Sequence, residues 1–249
     1  MADYVTIPDS ADFNLSNADF TIEFWVWFDS LTVTSGVNHV VFSQFNDDAS
    51  NRSFFMGVNG NGSTAHPILQ YNTTDNTTHT MALTGLTLST GQWYHWAFLR
   101  NATDLRFYLD GDHDSGNGTQ SISTDSIHNS SELLYISNYG GAGGPFHVNG
   151  WVDEVRISDN DRYGLSNFTS PSGAFTNDAN TKLLLHLNGL NGATTSTDSS
   201  SGAHTLTFND AAQLVTGRKK FGSSSLNLNV TPPDPFVNIR NDRFFLLYN

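Results

Sequence analysis

Along the first 158 residues, apolar and polar positions alternate in short runs that are cut by Gly, Asn, Asp and Pro. The run FTIEFWVWF (20–28) sets Phe20, Ile22, Phe24, Val26 and Phe28 on one side and Thr21, Glu23, Trp25 and Trp27 on the other. A period of two is that of a β-strand, here with one face buried and one partly exposed, and a central place in its sheet is expected. Seven further runs follow: HVVFSQF (39–45), RSFFMGV (52–58), PILQYN (67–72), QWYHWAFLR (92–100), DLRFYLDG (104–111), ELLYISN (132–138) and GWVDEVRIS (150–158). Strands at this spacing, joined by turn residues, predict a sandwich or jelly roll.

The texture changes after Ser158. DNDRYGLSNFTSPSGAFTNDAN (159–180) has few periodic apolar positions and is expected to lie over the surface as a connector. Beyond it, TKLLLHLNG (181–189) reads as a buried strand, and GAHTLTFN (202–209) and SSSLNLN (223–229) as two more. Two Gly-rich stretches, NGNGST (59–64) and NYGGAGGPFHVNG (138–150), lack GxGxxG between a strand and a helix. They are therefore expected to be mobile rims of the sandwich and not phosphate cradles.

Composition sharpens this picture. A chain of 249 residues suits one all-β sandwich, or at most two domains. Only 14% of residues are charged, and there are three Glu, at 23, 132 and 154. A net charge of −13 argues against nucleic-acid and anionic-membrane partners, which need basic stripes. With no Cys, disulfide frameworks and zinc-thiolate sites are excluded. MADYVTIPDS has neither the basic nor the apolar region of a signal peptide, and no apolar run approaches membrane-spanning length. Ten Asn-x-Ser/Thr triplets would be glycan acceptors in a eukaryotic secretory protein, but with so much Asn, Ser and Thr chance explains most of them.

Three segments, FTIEFWVWF, GQWYHWAFLRNATDLRFYLDG and GWVDEVRIS, together resemble the successive signatures of laminin-G-like, concanavalin A-like sandwiches. That superfamily also holds pentraxins, legume lectins and some glucanases. DRYGLSNFTSPSGAFTNDANTKLLLHLNG (161–189) resembles the segment that joins such domains in structural proteins of tailed, especially marine, bacteriophages. The resemblance implies an all-β fold, a concanavalin A-like jelly-roll β-sandwich of two antiparallel sheets.

The family order places LLLHLNG, TDSSSGAHTLTF and KKFGSSSLNL before the YVTIPDSADF strand, whereas in this chain they follow it. Residues 1–158 are thus expected as the sandwich and 159–180 as its surface connector. Residues 181–235 either complete the same sandwich in circularly permuted order or start a second one, and fold-back is favoured for 181–229. A weak internal repeat matches YVTIPDSADFNL (4–15) with FVNIRNDRFFLL (236–247), with an aromatic, Val, Ile and Phe in step. Two copies of one strand compete for one slot, so 236–249 is expected as a C-terminal arm contacting another chain in a homo-oligomer.

Candidate chemistry is sparse. Retaining glucanases of the superfamily need two carboxylates about 5–5.5 Å apart, usually in a Glu-x-Asp-x-x-Glu strand pattern that this chain lacks. Glu23 stands alone on its strand, Glu132 precedes one, and Glu154 follows Asp153, which strand alternation sends to the opposite face. No GxSxG elbow, HExxH or P-loop occurs. His95 is read as a core histidine, and the other eight His show no metal-ligand spacing. Asp110, Asp112 and Asp114 of DGDHDSGNG (110–118), at alternate positions, are candidate ligands of a structural Ca2+, with a polar hairpin turn as the competing reading. The resemblance adds Asp153, whose counterpart in related glucanases helps to hold calcium. Alternation with Val155 and Ile157 would turn Asp153 to the core, where backbone N–H groups are its alternative partners.

Lectins stack sugars on aromatic rings, and the candidates for glycan contact on the Gly-rich rim are Tyr139, Phe146, His147 and Asn149, with Trp151 at the start of its strand. The function expected is that of a non-enzymatic virion surface protein of a tailed phage, a capsid decoration or fibre component, with host surface glycans and other virion proteins as partners. The competing expectations are a polysaccharide-degrading glycosidase and a purely architectural capsid or tail protein without a sugar site.

Overall fold

The computed structural model describes residues 3–114, 117–141 and 146–229. Among them are strands β1 (Tyr4–Ile7), β2 (Phe20–Phe28), β3 (Gly36–Gln44), β4 (Phe54–Gly60), β5 (Ala65–Asn72), β6 (Thr78–Ala82), β7 (Trp93–Asn101), β8 (Asp104–Leu109), β9 (Thr119–Ser121), β10 (Leu134–Ile136), β11 (Gly150–Ser158), β12 (Thr181–Leu185), β13 (Thr207–Asn209), β14 (Gln213–Val215) and β15 (Ser225–Asn227). Two short 3-10 turns, Ala11–Phe13 and Ala49–Asn51, lie between strands.

The strands form two antiparallel sheets. The first runs β13-β1-β10-β3-β4-β5-β6, and the second β14-β15-β11-β2-β7-β8-β9, with β12 also paired to β11. Alternation builds the core between them: Phe20, Ile22, Phe24, Val26 and Phe28 of β2 meet Phe42, Phe54 and Met56 of the first sheet, all essentially without exposed surface. Each such ring contributes roughly 1.5–3 kcal/mol on leaving water. This is the two-sheet jelly-roll architecture expected from the strand pattern.

The other face of β2 departs from expectation. Instead of being partly exposed, Thr21, Glu23 and Trp25 are buried and Trp27 is half-buried. Residues 159–180 and the segment behind them roof this face. Tyr163, Leu165 and Phe168 pack on Ala97, Leu99 and Tyr108, while Phe175, Leu184 and Phe221 pack around Trp25. Residues 181–229 also supply strands: β12, β14 and β15 extend the second sheet beyond β11, and β13 pairs with β1 in the first. The expected arm, 236–249, lies outside the described residues.

One irregularity decides where the acidic residues of β11 point. Its register with β2 shifts between Asp153 and Arg156, and Glu154 takes a left-handed backbone with φ of 50°. A bulge of this kind adds a residue and re-aims side chains. Val152, Val155 and Ile157 face the core, whereas Asp153 bonds to the backbone of Lys220 and Phe221 on the outside. The strand-alternation expectation that Asp153 faces the core with Val155 is thereby corrected, as is the expectation that Asp153 and Glu154 lie on opposite faces.

Candidate functional site

A cleft of about 190 Å3 opens on the outer face of the first sheet, lined by Phe45, Asp47, Phe55, Gln70, Tyr139 and Phe146. Strand geometry produces it. Phe54 and Met56 of β4 face the core, so Phe55 between them faces outward, and on β5 Gln70 does the same between Leu69 and Tyr71. Phe45 follows β3, and the 138–150 loop brings in Tyr139 and Phe146 through Gly140 N donating to Phe45 O at 2.8 Å and Val40 N donating to Phe146 O at 2.5 Å.

Two of the ring pairs are edge to face and the third is tilted. Phe45 and Phe55 have centroids 5.6 Å apart at 61°, Phe55 and Tyr139 6.4 Å at 73°, and Tyr139 and Phe146 5.8 Å at 49°. Gly141 has no side chain for a reason visible here. A Cβ on it would stand 2.1 Å from Tyr139 Cε2 and 2.4 Å from Asp47 Oδ1. Arg52 braces the cleft wall from outside the lining: its Nε donates to Asn46 O at 2.8 Å, its Nη2 to Asp47 O at 2.6 Å, and its guanidinium lies over Phe45. Among the described residues the lining is thus aromatic walls with a carboxylate and an amide, and no basic side chain.

Of the five glycan candidates, Tyr139 and Phe146 meet in this cleft. His147 offers its carbonyl to His39 Nδ1 at 2.8 Å, and burial pushes its imidazole below the usual histidine range. Asn149 Nδ2 donates to Ser30 Oγ at 2.8 Å. Trp151 is on the other sheet, in register with Trp27, which in turn is opposite Trp93. There Arg218 stacks on both Trp27 and Trp151, at 4.3 and 4.4 Å from their centroids. The sequence candidates therefore split between two faces of the molecule. Phe45, Asp47, Phe55 and Gln70 were missed, although the doubled Phe54–Phe55 already implied one ring on each face of its strand.

The calcium candidates do not converge. Asp110 and Gly111, with φ of 51° and 83°, form a two-residue hairpin turn closed by mutual backbone bonds between Leu109 and Asp112. Asp110 Oδ1 accepts from His95 N at 2.7 Å, Asp112 Oδ1 from Asp114 N at 2.9 Å, and Asp114 Oδ2 from Gly85 N at 2.8 Å and Asn117 Nδ2 at 2.8 Å. Asp153 accepts from three backbone N–H groups, those of Glu154, Lys220 and Phe221, at 3.0, 2.8 and 3.1 Å. Burial, with the Glu154 charge adding, still pushes its carboxyl up to about 7. Among the described residues no three His, Cys, Asp or Glu gather as metal ligands would.

The three Glu are engaged as well. Glu23 Oε1 accepts from Arg156 Nε and Nη2 at 2.8 and 2.5 Å, and its Oε2 is 3.0 Å from His95 Nε2 and 2.5 Å from the Tyr163 hydroxyl. Burial opposes ionisation of Glu23, but His95, Arg156 and Tyr163 outweigh it and hold the carboxyl below its usual range. His95 is buried on the roofed outer face and not between the sheets. Glu154 pairs with His186 Nδ1 at 2.9 Å and accepts from Phe175 N at 2.9 Å. Glu132 accepts from Asn46 Nδ2 at 2.7 Å and the Tyr135 hydroxyl at 3.1 Å.

Comparison with known proteins agrees with this architecture. Among solved structures, a candidate carbohydrate-binding protein from Bacteroides ovatus superposes with a TM-score of 0.58 at 15% identity, covering 92% of this chain. The chain spans 58% of that protein's length. Domain 4 of AbnA, an extracellular arabinanase of Geobacillus stearothermophilus solved with arabinotriose, gives 0.43 at 19% identity, over 62% of this chain and 66% of that one. Tailspike protein 2 of bacteriophage CBA120 gives 0.44 at 13% identity, over 73% of this chain and 28% of the solved domain. No curated protein matches in sequence. The family profile of the concanavalin A-like lectin/glucanases superfamily, in its laminin-G form, matches residues 1–162, and the chain belongs to that superfamily.

Proposed function

We propose that this chain is a non-enzymatic carbohydrate-binding sandwich, displayed on the surface of a tailed-phage particle as a capsid decoration or fibre component. The observation that carries the sugar reading is the cleft of Phe45, Phe55, Tyr139 and Phe146 with Gln70 and Asp47 at its wall. Aromatic faces match the C–H faces of a pyranose, and an amide beside a carboxylate matches its hydroxyls. The volume, about 190 Å3, suits one sugar ring. The fold shared with the Bacteroides ovatus protein is compatible with this use. The particle assignment rests on the resemblance of residues 161–189 to phage structural proteins.

The non-enzymatic part is supported by the carboxylates. Glu23 is locked by Arg156, His95 and Tyr163, and Glu154 by His186 and Phe175 N, which leaves Asp47, among the described residues, as the one carboxylate in the cleft lining, where a glycosidase pair needs two. A glycan array followed by calorimetry tests the proposal. Binding is expected to fall about tenfold, ~1.4 kcal/mol, in Tyr139→Ala and Phe146→Ala, and to persist in Trp151→Phe. Silence across bacterial polysaccharides would leave an architectural protein, and sugar release by the unmutated chain would replace the proposal with the glycosidase. Antibodies against the chain are expected to label intact virions; labelling confined to infected-cell debris would remove the particle assignment.

A further inference from the structure

One row of side chains crosses the outer face of the second sheet. Asn227 of β15 is opposite Trp151 of β11, Trp151 is opposite Trp27 of β2, and Trp27 is opposite Trp93 of β7. Three indoles thus stand on three neighbouring strands, with about 4.8 Å from strand to strand. Trp27 and Trp93 meet edge to face, their centroids 6.0 Å apart at 67°. Both keep part of their surface exposed, so the roof that seals Glu23 and Trp25 does not seal this row. The loop between β14 and β15 lays Arg218 across it: the guanidinium carbon is 4.3 Å from the Trp27 centroid and 4.4 Å from that of Trp151. Ser225 Oγ holds the loop by donating to Arg218 O at 2.5 Å.

Arg218 differs from the other arginines among the described residues. Arg52, Arg100, Arg106, Arg156 and Arg162 each donate to at least one oxygen. The Arg218 side chain donates to none among the described residues, and its buried Nε has no acceptor there. In a chain with 24 acidic and 11 basic residues, an arginine without a carboxylate needs a reason. Stacking occupies the faces of a guanidinium and leaves its in-plane N–H groups in the fork that fits a carboxylate. A buried donor without an acceptor is costly, and an arriving carboxylate removes that cost. We propose that Arg218 and Trp93 form a second sugar site, one for a hexuronate, with the sugar's carboxylate on the guanidinium and its pyranose ring on Trp93. Charge complementarity selects the acid, and the half-exposed indole beside the fork selects a ring with a flat C–H face. An acidic peptide would satisfy the fork and leave Trp93 unused. The aromatic cleft on the other sheet is not an alternative place for such a ligand, because its lining carries the Asp47 carboxylate and, among the described residues, no basic side chain.

Calorimetry of the full chain tests this with oligosaccharides of galacturonate, glucuronate and mannuronate, each beside the same oligosaccharide with its carboxyls reduced to alcohols. At least one hexuronate is expected to bind, about tenfold or more tighter than its reduced form, and to change tryptophan fluorescence. That comparison needs no variant. Arg218→Met, which keeps the stem on the indoles and removes the donors, is expected to abolish the preference, and Trp93→Ala to weaken hexuronate binding about tenfold. Melting temperatures are measured alongside. An Arg218→Met protein that melts lower yet still prefers the hexuronate would make Arg218 a brace for its loop and overturn the proposal. So would equal binding of acidic and reduced forms, silence across the whole panel, or loss of the preference in Tyr139→Ala, which would put the acid sugar in the cleft. Neutral sugars report on the cleft and carboxylate preference on this row, so each reading can fail without the other.

Discussion

Glu23 has no exposed surface, and each of its oxygens makes two polar contacts: with Nε and Nη2 of Arg156 on one, with His95 and Tyr163 on the other. Removing one member of a buried pair leaves the other charge without compensation. Glu23→Gln is therefore expected to cost about 3–5 kcal/mol in urea unfolding, and a joint Glu23→Leu, Arg156→Met replacement to recover most of it. Asp153 gives the fold a pH dependence of the opposite sign. Its carboxyl rises from 3.8 unfolded to about 7 folded, so the native state holds a proton that the unfolded chain has released in that window. Stability from this group is complete below the unfolded value and declines as pH rises toward 7. Glu23, held below 4.5, contributes above that value and loses its contribution as pH falls. Melting temperatures from pH 4 to 8 are expected to decline on the neutral side, and Asp153→Asn to flatten that limb. An unchanged limb would show that the three backbone donors keep Asp153 ionised throughout.

At the scale of elements, turns and strand parity do the placing. The Asp110–Gly111 turn brings Gly111 so close to the connector that a Cβ would stand 1.9 Å from Phe168 O, at a φ of 83°. Gly111→Ala is expected to destabilise by roughly 1–3 kcal/mol and to loosen the stack of Phe168 on Tyr163, whose centroids are 3.9 Å apart. Tryptophan and tyrosine fluorescence of the variant reads that change. Added calcium is expected to leave the melting temperature where it is, because Asp110, Asp112 and Asp114 each hold a different N–H donor. Strands with strong alternation, such as β2, β7 and β11, were legible from sequence. The short strands β6, β9 and β14 were not, because Thr78–Ala82, Thr119–Ser121 and Gln213–Val215 carry too few apolar residues to show a period. Two of the six cleft residues were legible in the same sense: Tyr139 and Phe146 stand out on a Gly-rich rim, whereas Phe55 and Gln70 look like ordinary strand residues until the sheet fixes which way they point.

At the scale of the molecule, the segment after residue 180 supplies one edge strand to each sheet and part of the roof. β12 and β15 pair with β11, and Leu184 and Phe221, together with Phe175 of the connector, enclose Trp25. A chain ending at residue 180 would leave β11 as an open edge with uncovered aromatic rings, which is a template for aggregation. Such a truncation is expected to be insoluble or to bind a hydrophobic dye, and a soluble, cooperatively melting product would mean that the roof is dispensable.

By itself the sequence determined the class of structure, because a period of two in runs cut by turn residues admits few arrangements other than packed antiparallel sheets. It also determined which rings face the core of β2, and the repeat at the two ends. Tertiary structure alone decided the roles of Asp153, Glu154 and Glu23. A bulge moved one residue out of step, and a roof drawn from residues 159–221 turned a face expected to meet water into a second buried layer. Alternation is a local rule, and neither an extra residue in one strand nor a cover contributed from far along the chain is encoded in it.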